Sequence, residues 1–77
     1  MEMVNVKTLK RSKVVRSYRI SAWTREHPHV IRVTDSCEMW LDCGINWDDG
    51  NGMCSFMGVL PKDKKITKNN VLEACNS

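Results

Sequence analysis

The chain has no acidic residue between Met3 and Arg25, where seven basic residues stand, and no basic residue between Val33 and Pro61, where five acids stand. Charge sorted in this way presents surfaces of opposite sign unless the two blocks pack on each other, so the pattern points to binding before chemistry. No apolar run approaches the roughly 18 residues of a membrane span, and none follows the N-terminal bases as it would in a secretory leader. The expectation is a cytosolic protein. Four glycines and two prolines are too few for a collagen-like or low-complexity chain, and a 42% hydrophobic fraction is that of a folded domain.

Close cysteine pairs are also missing. Structural zinc sites draw thiolates from positions two to four residues apart, whereas the nearest cysteines, Cys37 and Cys43, are six apart. His27 and His29 flank Pro28 and read as loop histidines, with Cys54 and Cys75 as packed thiols. No metal or other cofactor is expected. In a reducing compartment the four cysteines stay free; an oxidising one would allow three pairings among which the sequence does not choose. Asp48-Asp49-Gly50-Asn51-Gly52 lacks the spaced ligands and distal glutamate of a calcium loop and reads as a turn. There is no phosphate-cradling glycine motif, no dinucleotide fingerprint and no activated nucleophile, so a non-enzymatic role is expected.

What is present suits one small α+β domain: 77 residues bury roughly 60 to 65% of the surface exposed by the unfolded chain. Residues 1–13 read as a basic arm, Val4 and Val6 offering a short edge strand and a partner supplying order; the compact domain would run from 14 to 77. Val14 to Thr24 alternates with period two, placing Val14, Tyr18, Ile20 and Ala22 on one face and Arg19, Ser21 and Trp23 on the other. His29 to Thr34 resumes after Pro28 as the second strand of a hairpin, with Ile31 and Val33 beside Tyr18 and Ile20, and Arg32 beside Arg19.

Thr34-Asp35-Ser36 with Glu38 resembles a capping box and Gly44 a terminating glycine, which predicts a helix over Ser36–Cys43 with Glu38 and Asp42 as an acidic ridge. A strand here would put Glu38, Trp40 and Asp42 on one face and mix polarity. Ile45–Trp47 and Met53–Leu60 read as a second hairpin around the glycine-rich turn, with Cys54, Phe56 and Leu60 facing the core. After the lysine-rich 62–65 segment, Thr67 caps a closing helix with Val71, Leu72 and Cys75 on its buried side. The fold expected is two antiparallel hairpins with a short central helix and a C-terminal helix.

Two functions compete. In the leading one the chain binds another protein and inhibits or modulates it, as tiny host-directed inhibitors from phages or mobile elements do. Trp23, Glu38, Asp42, Trp47, Asp48 and Asp49 would make the contacts, because tryptophan is enriched at interface centres and carboxylates complement a basic patch. A partner that handles nucleic acid is one variant, the acids standing in for phosphates. In the other function Lys10, Arg11, Lys13, Arg16, Arg19, Arg25 and Arg32 track phosphates from a two-stranded ribbon. Self-association is left open.

Overall fold

The computed structural model describes residues 2–20 and 29–76. These form β1 (Met3–Asn5), α1 (Val6–Arg11), β2 (Val14–Ile20), β3 (His29–Thr34), β4 (Glu38–Cys43), α2 (Gly44–Asp49), β5 (Met53–Val59) and α3 (Lys68–Asn76). The five strands make one antiparallel sheet in the order β1-β5-β4-β3-β2, so the chain is a small α+β domain. None of the described helices is long and apolar enough to cross a membrane.

β1 and β2 follow each other in sequence yet occupy opposite edges, about 19 Å apart at the usual strand spacing. The connection must therefore cross the sheet, and α1 is part of that crossing. Met3–Asn5 forms the short edge strand offered by Val4, whereas Val6 falls in α1 rather than in that strand. Val6 and Leu9, three residues apart on one helical face, are almost completely buried, and the Asn5 side chain accepts the Lys7 N–H at 2.8 Å as an N-cap. Lys10 and Arg11 fall in the last turn, where cations suit the helix dipole.

The first hairpin follows its expected register: Tyr18 pairs Ile31, Ser17 pairs Arg32 and Arg19 pairs Val30. Tyr18, Ile20, Ile31 and Val33 share one apolar cluster, and Arg32 lies on the Arg19 side. A register shift between Val14 and Arg16 takes Val14 out of the alternation, to pair with Thr34. Ser21, Ala22 and Trp23 lie outside the described residues.

The helix expected over Ser36–Cys43 is instead a turn followed by β4. Thr34, Asp35 and Ser36 serve a turn as readily as a helix cap, because their side chains bond nearby backbone. Cys37 N–H donates to the Thr34 carbonyl at 2.9 Å and Glu38 N–H to Thr34 Oγ1 at 3.2 Å, with Cys37 held at φ 62°. The helix falls one step later, as α2, where a strand was expected. Its terminating glycine is Gly50, left-handed at φ 72°, rather than Gly44. All five strands belong to one sheet, in which β5 pairs with β4 and also with β1.

α3 follows expectation. Asn70 N–H donates to Thr67 Oγ1 at 3.2 Å, Val71 is fully buried, and Leu72 and Cys75 pack on the same cluster. α3 covers one face of the sheet, over Ile20, Ile31, Val33, Met39 and Leu60. α1 and α2 cover the other, over Trp40 and Cys54. Met57 belongs with the α3 cluster while Met53 stands exposed. The four cysteines are free thiols.

Candidate functional site on the two-helix face

The strand pairings align Ser17, Arg32, Trp40 and Phe56 in one row across β2, β3, β4 and β5, and Arg19, Val30 and Asp42 in the next. This is the mixed-polarity face that the strand reading implied, and Arg32 is what makes it tolerable. Its Nη2 donates to Asp42 Oδ2 at 3.2 Å and its Nη1 to Ser17 Oγ at 3.0 Å. The Arg32 side chain is 12% exposed and the Asp42 side chain is fully covered. Burial raises the carboxyl pKa of Asp42 and the Arg32 contact only partly opposes it, with the Cys54 thiol also lowering it and the Asp48 charge adding to the rise.

Cys54 donates its thiol hydrogen to Asp42 Oδ1 at 3.7 Å, and burial, reinforced by the Asp42 charge, pushes its pKa up to about 12. Burial raises Cys75 as well. Both therefore stay protonated near neutrality, which deprives them of the thiolate that nucleophilic chemistry needs. Trp40 stacks obliquely on Phe56, ring centroids 5.0 Å apart at 58°. Arg32 Nε and Trp40 Nε1 are buried without an acceptor among the described residues.

Trp47 closes this arrangement at the surface. A six-residue helix is too short to persist alone, so α2 depends on the contacts that Trp47 makes. The Arg32 guanidinium lies 4.1 Å from the Trp47 ring centroid and the Lys10 ammonium 5.3 Å from it, so two cations lie against the half-buried indole. The turn after α2 is anchored too: Gly52, at φ 90°, leaves room for the Asn46 side chain, and its carbonyl accepts the Val6 N–H at 3.0 Å. That bond joins the turn after α2 to the start of α1.

The structure regroups the residues singled out in sequence. Trp47 and the exposed Asp48 and Asp49 stand together on α2. Asp42 is buried beneath them and does not form an exposed ridge with Glu38, which lies half-buried at the far end of β4, about 13 Å away along the strand. Lys10 and Arg32, assigned to phosphate contacts, converge on Trp47. Arg32 is thereby committed to the interior, whereas Arg11, Lys13, Arg16 and Arg19 are exposed. Trp23 and Arg25 lie outside the described residues. Sequence reasoning missed Cys54 and Trp40 as parts of this site. Nothing in the linear order links them to Arg32, although Asn5 as a cap before Val6 and Leu9 at helical spacing was a readable sign of α1.

These features define an α+β domain whose sheet has an apolar side under α3 and a polar, aromatic side under α1 and α2. No family model, curated protein or solved structure matches the chain. Among the described residues no three histidine, cysteine, aspartate or glutamate side chains come together to hold a metal ion.

Proposed function

We propose that this chain is a non-enzymatic protein-binding module that inhibits or modulates its partner through the α2 surface. Trp47 carries the reading. An indole in contact with Lys10 and with Arg32, which is itself bonded to a buried Asp42, is a surface aromatic of restricted motion. Such a group loses little entropy when it enters a partner's pocket. Asp48 and Asp49 beside it supply a rim for a partner with a basic patch, the surface of a nucleic-acid-handling enzyme being one such patch. Glu38 and Asp42 take no direct part in this contact.

The experiment is affinity capture from lysate of the native host, treated with nuclease, using the wild-type chain and the Asp48→Lys/Asp49→Lys variant. The expected result is a protein retained by wild type and lost by the variant, with circular dichroism unchanged. Equal retention by both would remove the α2 surface from the proposal.

A second reading rests on a separate observation. Lys7, Arg11, Lys13, Arg16 and Arg19 are exposed, and none forms an ion pair among the described residues. These cations are available for phosphates. Shifts of generic oligonucleotides that weaken steeply with salt would favour this reading, and no shift by micromolar protein at low salt would end it.

A further inference from the structure

β2 is the last strand of the sheet and, among the described residues, pairs only with β3. Its seven residues offer about 23 Å of open edge, whereas β1 at the other side has three. An open ladder recruits another strand unless something blunts it. Among the described residues the blunting is confined to one end: the register shift lies between Val14 and Arg16, and Arg16 Nη1 folds back onto the Val15 carbonyl at 2.7 Å. From Arg16 to Ile20 the pairing is regular.

We propose that this regular stretch is a docking edge for an acidic, extended segment of a partner protein, which joins the sheet as a sixth strand. The charges select the occupant. β2 holds no acid, Lys13 precedes it, and Arg16 and Arg19 are exposed. Arg16 pairs Val33 on the α3 side and Arg19 pairs Val30 on the two-helix side, so an incoming strand meets one cation on each face. Acids three residues apart on that strand satisfy both, because residues at odd spacing point to opposite faces. A second copy is disfavoured because β2 holds two arginines and no acid, so pairing it with itself gathers four cations along one seam with nothing to neutralise them. The site lies apart from α2 and stands or falls separately from it.

The test measures binding and amide hydrogen exchange of the full chain with a capped peptide Thr-Glu-Val-Thr-Glu-Val. The expected result is saturable binding that slows exchange of the β2 amides. N-methylation of alternate peptide residues, which removes ladder donors, should abolish it. Arg16→Glu/Arg19→Glu should weaken it about tenfold, as expected for two exposed ion pairs, and Trp47→Ala should leave it unchanged. Should the arginine variant fail to fold, the wild-type exchange and N-methyl arms still decide. Peptide binding that survives N-methylation, or that leaves β2 exchange unaltered, overturns the proposal. So does self-association that protects the β2 amides, or their protection by an oligonucleotide but not by the peptide.

Discussion

On the α3 side of the sheet, Ile31, Val33, Leu60 and Val71 are fully buried and their side chains pack in one apolar cluster. On the two-helix side the same strands bury Trp40 and Cys54 next to the Arg32–Asp42 ion pair, with Trp47 as the lid. The first face gains stability in proportion to apolar area and is indifferent to direction. The second depends on geometry: its charges are costly to bury and repay that cost only while each keeps its partner. A face of this kind adds less net stability, but it holds an indole at the surface.

Mutations can break or sharpen the contrast. The largest effect is expected from Ile31→Ala, which opens a cavity under α3 and should cost about 4 kcal/mol in urea unfolding. Asp42→Ala should follow at about 3 kcal/mol, since it strands the Arg32 guanidinium. Replacing both partners, Arg32→Met with Asp42→Leu, should recover most of that loss while freeing Trp47, seen as a shift in its fluorescence. A double variant no more stable than Asp42→Ala would show that the ion pair contributes more than its partners' burial costs. Thr67→Ala should remove about 1 kcal/mol by uncapping α3. Lys10→Ala should remove about 0.5 kcal/mol, the scale of an exposed cation over a ring.

The smallest effect is pH-dependent. Because the folded-state pKa of Asp42 is raised, the folded chain holds that proton more tightly than the unfolded chain does. The contribution of Asp42 to stability is therefore greatest below the ordinary carboxylate range and declines as pH rises through the raised pKa. Measured against Asp42→Asn, the wild type should gain relative stability as pH falls from neutrality. A relative loss would mean that pairing with Arg32 outweighs desolvation.

Much of the apolar face was legible in the order of residues. Tyr18, Ile20, Ile31 and Val33 alternate with period two, and Thr67, Val71, Leu72 and Cys75 follow helical spacing from a capping threonine; both patterns are local. The two-helix face was not legible. Trp40 and Asp42 on one side of a strand look like an error until Arg32 arrives from the neighbouring strand, and a capping box and a β-turn use the same Thr, Asp and Ser chemistry. Asp42 thus moved from an exposed ridge to the interior, while Trp47, Asp48 and Asp49 kept company but on a helix.

By itself the sequence determined the α+β class, the first hairpin with its register, the closing helix and the sorting of charge along the chain, because each rests on contacts between near neighbours or on composition. Only the tertiary structure decided where the sorted charges meet. The crossover through α1 carries Lys10 over the sheet to Trp47, and β3 sets Arg32 beside Asp42. Contacts between residues so distant in sequence depend on strand order, and no local pattern encodes strand order.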